Sequence, residues 1–200
     1  MQTIEVYERS AKECLARWNK RRHRRPPLLV EWLQHLPADA RLLDLGCGGG
    51  KDMGDLAQRG YRVVGVDRTS ALLSEGRRRY RSLPLVRADF RDLSFHAMSF
   101  DGLWAAASLM HLPKPEARRI LSDLRKLVCP GGLFAATVTY GLKSRLLTDG
   151  WLPGRYVARW KKDELARAVR QAGWIILELR VVTNQERKGR WLNLLAQKQG

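Results

Sequence analysis

The sequence predicts an α/β protein with a mostly parallel sheet, helices on both faces and an antiparallel hairpin at its C-terminal end. From residue 41 onward, short apolar runs alternate with amphipathic stretches, which is typical of parallel strands joined by helices. The first apolar run ends in a glycine-rich turn. The last two runs are joined only by residues 184–189, too few for a crossover helix, so these strands must be antiparallel.

Each predicted strand is an apolar run bounded by turn residues or by a helical pattern. In chain order the strands are Arg41–Leu45, Tyr61–Asp67, Leu85–Ala88, Phe100–Ala106, Leu133–Thr139, Trp174–Thr183 and Arg190–Gln197. The helices between them are Asp52–Arg59, a helix capped by Thr69 or Ser70 that runs to about Tyr80, Glu116–Val128 and Lys161–Ala172. Glycines at positions 60 and 173 are expected to end the first and last of these helices.

Two further helices are predicted before the sheet, over residues 4–19 and 28–36. Pro26 and Pro27 suit the start of the second helix, because the first turn has no intrahelical use for their missing N–H groups. We interpret residues 1–40 as a helical cap or lid, and residues 41–200 as one structural unit.

Composition excludes several classes of protein. The chain has 200 residues, of which 44% are hydrophobic and 28% charged, which suits one globular domain. No apolar run approaches the roughly 18 residues that a membrane helix needs. Charged residues are spread through the first 20 positions, where a signal peptide needs an apolar centre, so we expect a cytoplasmic protein without a membrane partner. The three cysteines and four histidines have no metal-site spacing, and no metal is expected.

The net charge of +17 has two interpretations. A basic surface could bind RNA, DNA or an anionic substrate. Alternatively, 27 of the 37 basic residues are arginine, as an arginine-rich coding bias would produce. The only dense runs are Lys20–Arg25 and Arg77–Arg81, and a charge run is more often a solvated face than a binding site. The sequence therefore does not favour a nucleic-acid partner.

The glycine turn after the first strand is the most informative segment. Asp44 is followed by Gly46, Gly48, Gly49 and Gly50, and a helix comes next. Lys51 occupies the final glycine position of the pyrophosphate-binding fingerprint, so that motif is incomplete. A carboxylate before the turn would repel a pyrophosphate but attract an ammonium and a sulfonium group. These features point away from nicotinamide dinucleotides and toward S-adenosylmethionine.

Acidic residues also end the next two strands, at Asp67 and Asp89. Ligands of such sheets bind outside the carboxyl ends of the strands, where Asp44 would lie as well. A carboxylate in the position of Asp67 can accept hydrogen bonds from two ribose hydroxyls. Any one of these acids could be a helix cap or a solvated loop residue, but three at consecutive strand ends favour a common ligand.

The chain resembles the class I S-adenosylmethionine-dependent methyltransferases, particularly the small single-domain bacterial members with a Rossmann-like sheet. The resemblance covers nearly the whole sequence. It is carried by the segments Leu42–Gly50, Val63–Leu73, Arg87–Leu93, Phe100–His111 and Leu124–Gly132, and by the closing hairpin.

The resemblance implies a role for each cofactor-binding residue. The backbone of Gly46, Cys47 and Gly48 would line the methionine part, while Asp44 would hold the amino group and Asp67 the ribose. Asp89 would accept from the adenine amino group, the Phe90 backbone would donate to the ring, and the Arg68 stem would pack beside it. Ala106 would contribute from the strand-four end, and Tyr7 would belong to a lid over the cofactor.

Two residues are candidates for the acceptor side. His111 follows strand four, and its ordinary pKa suits a general base near neutral pH; a structural role in the loop is the alternative. Tyr140 begins the segment Tyr140–Trp160, whose aromatic and arginine residues could hold a flat or anionic acceptor or could simply form a connecting loop.

We therefore interpret the chain as an enzyme that methylates an oxygen, nitrogen or sulfur atom of a small molecule. Ala105–Ser108 replaces the N-P-P-Y or D-P-P-Y motif expected for methylation of adenine amines. The alternatives are an RNA or protein methyltransferase, favoured only by the charge, and a non-catalytic cofactor-binding partner. The oligomeric state is open.

Overall fold

The computed structural model describes residues 2–20, 26–184 and 189–200. The basic run Lys20–Arg25 lies outside the described residues except for Lys20, as does most of the 184–189 hairpin connection. Among the described residues, no helix is both long and apolar enough to cross a membrane.

One sheet organises the described part of the chain. Its strands are β1 (Arg41–Leu45), β2 (Arg62–Asp67), β3 (Leu85–Arg87), β4 (Phe100–Ala106), β5 (Val128–Tyr140), β8 (Arg159–Trp160), β9 (Trp174–Asn184) and β10 (Gly189–Lys198), with β6 (Arg145–Leu146) and β7 (Tyr156–Val157) forming a separate hairpin. The order is β3-β2-β1-β4-β5-β10-β9, and β8 also pairs with β5. Strands β1 to β5 are parallel, whereas β10 is antiparallel to both β5 and β9. The predicted fold class is confirmed.

Helices cover both faces of this sheet. The helices are α1 (Gln2–Arg9), α2 (Ala11–Asn19), α3 (Pro27–Leu33), α4 (Lys51–Gln58), α5 (Ser70–Arg79), α6 (Lys114–Leu127) and α7 (Lys162–Gln171), with a 3-10 turn at Leu109–His111. Side chains alternate between faces along a strand, so Leu42 packs with α3, α4 and α5 while Leu43 packs with α6 and α7. This alternation gives the domain one hydrophobic layer on each side of the sheet.

The N-terminal helices pack in two different places. Residues of α1 and α2 form a small apolar cluster with Leu72 of α5 and with Leu152. Helix α3 instead packs on the sheet, where Trp32 stacks on Trp104 of β4 with ring centroids 5.6 Å apart. The division of the chain at residue 40 stays a prediction, and α1 and α2 are the parts that lie over the carboxyl ends of the strands.

Several predicted boundaries differ from the structure. The helix predicted over residues 4–19 is broken at Ser10, a residue type that favours helix ends over helix interiors. Strand β5 begins at Val128 and runs through Pro130 and Gly131, because the ladder with β4 continues past a register shift between Phe100 and Gly102. Thr69 occupies the N-cap position of α5 but makes no side-chain cap, which corrects the expectation that Thr69 or Ser70 caps this helix.

Candidate functional site

A large cavity of about 1530 Å³ opens at the carboxyl ends of the parallel strands. Its floor is formed by the ends of β1, β2 and β4, and its cover by α1, α2 and the segment between β5 and β8. Pockets for single small ligands are typically about 300–1,000 Å³. The cavity therefore has room for two ligands side by side.

The glycine turn between β1 and α4 lines one end of this cavity. Gly46, Gly48 and Gly50 have φ angles of +75°, +55° and +75°, a region that side chains other than glycine rarely adopt. A Cβ atom on Gly46 would lie 2.4 Å from Cβ of Ser108, so the turn packs directly against the end of β4. Here the chain presents bare backbone, rather than side chains, to a ligand.

Three carboxylates gather beside the turn. Asp44 is only 3% exposed, and its carboxylate has no hydrogen-bond or ion-pair partner among the described residues. Burial, together with the charges of Asp52 and Asp67, raises the pKa of Asp44 well above its ordinary value. A buried, unpaired carboxylate is costly, and a cation bound next to it would offset that cost.

The Asp67 carboxylate shapes the loop as well as facing the cavity. One oxygen accepts from the Gly48 N–H at 2.9 Å and the other from the Thr69 N–H at 2.8 Å. Burial raises the pKa of Asp67, and these two hydrogen bonds oppose that shift. Each carboxylate oxygen can accept more than one hydrogen bond, so both remain available to further donors.

The acid at the end of β3 is paired inside the protein. Asp89 accepts from the Arg91 guanidinium at 2.6 to 3.0 Å and lies 3.2 Å from Nε of Arg68. Burial raises the pKa of Asp89, but hydrogen bonds and the arginine charges outweigh it and lower the pKa overall. Phe90, next in sequence, is partly buried against the core and lines the cavity. The sequence did not indicate that Asp89 already has partners.

A chain of hydrogen bonds ties α1 to the opposite wall. His111 Nδ1 lies 2.8 Å from the carbonyl oxygen of Tyr156, which can only accept, so Nδ1 carries the proton. Nε2 therefore accepts from the Tyr7 hydroxyl at 3.0 Å. Arg155 Nη1 donates to the same hydroxyl at 3.1 Å.

Burial changes the pKa values of the two groups joined by these hydrogen bonds, His111 and Tyr7. It lowers the pKa of His111 to about 4, outweighing the opposing effect of the Tyr156 hydrogen bond. It also raises the pKa of Tyr7 against the opposing charge of Arg155. At neutral pH both groups are uncharged, and His111 is a weaker base than an exposed histidine. In the same way burial raises the pKa of the Cys47 thiol, which keeps it protonated and unsuited to nucleophilic attack.

Two more contacts fasten α1 to its surroundings. The Glu8 carboxylate accepts from the N–H groups of Ser70 and Ala71 at 2.7 and 2.8 Å. It therefore caps the N-terminus of α5, in place of the local cap expected from sequence. The Thr3 hydroxyl accepts from the Tyr156 N–H at 2.9 Å on the other side of the cavity. Helix α1 thus bridges the two walls.

All of the residues singled out from sequence line this one cavity. They are Tyr7, Asp44, Gly46, Cys47, Gly48, Asp67, Arg68, Asp89, Phe90, Ala106, His111 and Tyr140. Asp44 and Asp67 lie at the end formed by the glycine turn, whereas Tyr140 lies at the end formed by β5, β8 and β10. What each of them binds stays a prediction.

Sequence reasoning missed two residues that line the site and one that supports its cover. Asp52 lies in the first turn of α4 and accepts from Trp104 Nε1 at 2.9 Å. Ser108 has a buried hydroxyl without a hydrogen-bond partner in the described part of the chain, and it follows Ala107, whose φ is +58°. Glu8 acts 62 residues from its partner in the chain. Of the three, only Asp52 had a local signal that could have revealed it, because it follows the glycine turn directly.

Comparison with known proteins decides the family. The model of a methyltransferase domain family matches residues 42–132. A ubiquinone biosynthesis O-methyltransferase from Methylobacterium sp. (strain 4-46) is 31% identical to this chain over 190 residues, covering 86% of this chain and 72% of the relative. This chain belongs to the class I S-adenosylmethionine-dependent methyltransferases.

Two other similar proteins are also methyltransferases. The cypemycin N-terminal methyltransferase from Streptomyces sp. is 38% identical over 110 residues, which are 52% of this chain and 44% of that protein. A Burkholderia thailandensis 1,6-didemethyltoxoflavin-N1-methyltransferase, solved with its substrate and S-adenosylhomocysteine, has a TM-score of 0.79 and 21% identity. That structural match covers 98% of this chain and 87% of the other, and it shows that the two share a fold.

The cofactor of this methyltransferase is S-adenosylmethionine, and the residues present suit it. The unpartnered Asp44 carboxylate matches an ammonium or sulfonium charge. The glycine turn admits a ligand close to the backbone. The buried Ser108 hydroxyl lies at the same end of the cavity and has no hydrogen-bond partner in the described part of the chain.

Proposed function

We propose that this methyltransferase transfers the methyl group to an oxygen, nitrogen or sulfur atom of a small molecule. The observation that carries the proposal is the cover over the cavity. Tyr7 of α1 is bonded to both His111 and Arg155, and Thr3 is bonded to Tyr156. An acceptor that reaches the cavity under this cover must be small, or must enter as a narrow end of a larger molecule.

The lid in this proposal is α1 with α2, rather than all of residues 1–40. Both helices pack on α5 and line the cavity. Helix α3 is part of the sheet packing through Trp32, so it would stay in place when the lid opens. Opening would break the Tyr7 and Glu8 hydrogen bonds, which are the main polar contacts of α1.

The proposal assigns the cofactor to the end with the carboxylates. Asp44 holds the amino group, and the backbone of Gly46, Cys47 and Gly48 borders the methionine part. Asp67 accepts from the two ribose hydroxyls while keeping its bonds to Gly48 and Thr69. The support is the burial of Asp44, the partly buried position of Asp67 at the same end of the cavity, and the absence, in the described residues, of any partner for Asp44.

The adenine would lie between α5 and the segment after β3. Phe90 offers its ring and backbone, and the stem of Arg68 can pack on the base. Asp89 could accept from the adenine amino group only in addition to its bonds with Arg91. Ala106 and Ser108 would border the cofactor from the end of β4.

Methyl transfer from an activated donor is chiefly a matter of alignment and exclusion of water. When bound, S-adenosylmethionine supplies a methyl group already activated by its sulfonium. The protein's tasks are to hold the acceptor in line, to close α1 over it and, for an acceptor that must lose a proton, to take up that proton.

His111 is the proposed proton acceptor, and it would work through Tyr7. Its Nε2 already bonds to the Tyr7 hydroxyl, so an acceptor proton would pass to the Tyr7 oxygen as the Tyr7 proton moves to His111. The low pKa of about 4 makes this a weak base, which limits its contribution to the lower part of the usual 10²–10⁴-fold range. Tyr140 remains a second candidate, since its side chain lines the acceptor end.

Labelled methyl transfer tests the proposal. The purified protein is incubated with S-adenosylmethionine labelled in the methyl group and with an extract separated into small molecules, RNA and protein. We expect the label in the small-molecule fraction. Label in RNA or in a protein would overturn the small-molecule assignment and favour a macromolecular substrate; binding of the cofactor without transfer to any fraction would favour a non-catalytic partner protein.

A peptide amine is the second candidate acceptor. It is favoured by one observation, the 38% identity to the cypemycin N-terminal methyltransferase over 110 residues. A peptide terminus is narrow enough to pass under a partly open lid. Label at the α-amine of a peptide would support this candidate.

A further inference from the structure

Arg155 is a buried cation without a counter-charge in the described part of the chain. Its side chain lines the cavity, although the residue is only 8% exposed. Its guanidinium forms no ion pair with any described residue, and its two hydrogen bonds go to neutral oxygens, the Leu152 carbonyl at 2.9 Å and the Tyr7 hydroxyl at 3.1 Å. Buried charges in proteins are normally paired, because an unpaired one is costly.

Most of the hydrogen-bonding capacity of this guanidinium is unused. Of its five N–H donors, one on Nε and one on Nη1 are bonded, which leaves three. Nη2 has no partner among the described residues, and protein atoms do not enclose it, so it faces the cavity that Arg155 lines. A ligand in the cavity can therefore reach free N–H groups on a buried, positively charged side chain.

The hairpin of β6 and β7 holds Arg155 in this position. The Leu147 N–H donates to the Arg155 carbonyl at 2.8 Å, and the Gly154 N–H donates to the Leu147 carbonyl at 2.7 Å. The guanidinium itself lies over the rings of Tyr7 and Trp151, 5.7 and 5.3 Å from their centres. The side chain is thus positioned before a ligand binds, which lowers the entropic cost of binding.

Arg155 lies between the donor side and the acceptor side of the cavity. The ring of Tyr7, its neighbour, is 6.1 Å from the ring of Trp18 and 5.5 Å from the ring of His111. Trp18 borders the glycine turn, where a Cβ atom on Gly48 would come within 3.3 Å of it. His111 is on the side proposed for the acceptor. Ligands on either side can therefore place a group against Arg155.

We propose that Arg155 binds a ligand carboxylate beneath the lid. A carboxylate suits this residue, because its single negative charge balances the guanidinium and its two oxygens accept paired N–H···O bonds. Two molecules in the cavity can supply the carboxylate: S-adenosylmethionine carries one on its methionine part, and the acceptor is the other source. The inference rests on the cofactor end and the lid of the proposed function, but not on the acceptor being a small molecule.

Calorimetry with matched ligands tests the first source. The whole protein is titrated with S-adenosylhomocysteine and with its decarboxylated form, which keeps the ammonium group and lacks only the carboxylate. If the donor supplies the carboxylate, the unaltered protein should bind S-adenosylhomocysteine at least about tenfold more tightly, since hydrogen bonds between charged groups are the stronger ones. Arg155→Met should lose that preference and bind the decarboxylated form at least as tightly as the unaltered protein does.

The second source is tested on protein saturated with S-adenosylhomocysteine. Acetate and acetamide, which have nearly the same shape but differ in charge, are titrated while NMR chemical shifts are followed. If the acceptor supplies the carboxylate, acetate should bind at least about tenfold more tightly than acetamide, and Arg155→Met should abolish the difference. A methionine carboxylate on Arg155 would already fill the site, so acetate would then show no preference. The two titrations thus identify the source.

Two control variants separate carboxylate binding from structural effects. Arg167→Met removes the same charge from the exposed side of α7 and should keep every preference. Tyr7→Phe removes the hydrogen bond between Arg155 and Tyr7 but leaves the guanidinium, so the preference for the carboxylate should remain. If Arg155 acted only by anchoring α1, Tyr7→Phe would lose the preference as Arg155→Met does, and the inference would be wrong.

The inference is overturned if Arg155→Met keeps the full carboxylate preference, or if the unaltered protein shows none in either titration. Binding of the decarboxylated ligand verifies that each variant is folded. Arg155→Lys, which keeps the charge but lacks the paired donors, replaces Arg155→Met if that variant does not fold, and an undiminished preference there counts against the inference in the same way. Methyl label in RNA or protein would contradict the small-molecule acceptor and leave the Arg155 site standing.

Discussion

The two ends of the cavity differ in the charged side chains that the strand ends carry. The end at the glycine turn holds Asp44, Asp52 and Asp67, although the chain as a whole has a net charge of +17. The end at β5, β8 and β10 is lined by Arg159 and Arg190. Local charge at the ends of particular strands therefore says more about the ligands than the overall balance does.

The two ends also differ in how far the protein satisfies their charges. Asp67 is held by two backbone N–H groups, so its position is set before any ligand binds. Asp44 and the Nε of Arg159 have no such partner in the described residues. A bound cation would offset the cost of the buried, unpartnered Asp44 carboxylate.

The largest effect is expected at Asp67. Asp67→Ala removes the charge-assisted hydrogen bonds proposed for the ribose, worth roughly 2–4 kcal/mol, or about a thirty- to thousand-fold loss of S-adenosylhomocysteine affinity. Calorimetry measures it. Asp163→Ala, an exposed acid in the first turn of α7, is the matched control and should bind normally. Normal affinity of Asp67→Ala would remove this residue from the cofactor site.

Substitutions of Tyr7 and His111, which lie between the two ends of the cavity, should affect the rate of methyl transfer more than they affect cofactor binding. Tyr7→Phe removes the hydroxyl that joins His111 to the cavity, and His111→Asn removes the base while keeping a group that can hydrogen-bond. Each should lower kcat by about a hundredfold with an identified acceptor. Cofactor affinity should change by less than about threefold.

The same pair distinguishes proton transfer from lid anchoring. If His111 only holds Tyr7, His111→Asn should keep near-full turnover while Tyr7→Phe loses it. Near-full turnover of both variants would contradict any chemical role for the pair, and the enzyme would then act by alignment and exclusion of water alone.

Burial of His111 predicts a loss of stability in acid. The folded pKa of about 4 lies below the ordinary value of 6.5, so the unfolded state binds a proton first as the pH falls. Stability from this group is complete above pH 6.5, and it is lost as the pH falls toward 4. Between pH 7 and pH 5 the loss is about 2 kcal/mol. Urea unfolding of the wild-type protein and of His111→Asn at both pH values measures it, and parallel losses in the two proteins would refute this assignment.

The smallest effect is expected from the basic run before α3. Changing Arg21, Arg22, Arg24 and Arg25 together to glutamine should alter cofactor affinity and methyl transfer by less than about twofold, if their charge only keeps a surface solvated. RNA affinity measured against salt is the opposing test, because phosphate contacts release counterions and give a steep salt dependence. A steep dependence together with methylated RNA would favour the macromolecular substrate.

The sequence was sufficient for the sheet and for the floor of the cavity. The succession of strands and helices, the parallel core and the antiparallel last pair follow from local patterns: apolar runs, amphipathic helices and a final connection too short for a helix. Asp44, Gly46 and Asp67 follow from the same patterns, because parallel strands end at one edge of the sheet.

A helical cover was predicted from sequence, but the contacts that hold it over the cavity were not predictable in this way. Tyr7 bonds to His111 across 104 positions and to Arg155 across 148, and no local pattern encodes such pairs. The cap of α5 was expected at Thr69 or Ser70 and is supplied by Glu8 instead. Asp89 was expected to be free for adenine, but Arg91, two residues further along, binds it. A tertiary contact therefore replaces the local cap of α5, and a neighbouring arginine forms hydrogen bonds with the Asp89 carboxylate.

Asp44 tests the central contrast most directly. S-adenosylhomocysteine carries an ammonium group and adenosine does not, so calorimetry with both ligands isolates what the Asp44 carboxylate contributes. Asp44→Asn should weaken S-adenosylhomocysteine by about 10- to 150-fold, a loss of roughly 1.5–3 kcal/mol, and leave adenosine unchanged.

The pH dependence of the same titration gives the decisive result. The pKa of Asp44 is raised, so a falling pH neutralises this carboxylate early and should weaken S-adenosylhomocysteine binding by the wild-type protein. In Asp44→Asn that pH dependence should be absent. Equal affinities and the same pH dependence in the two proteins would contradict the account, because the acidic end would then not recognise the charge of the methyl donor.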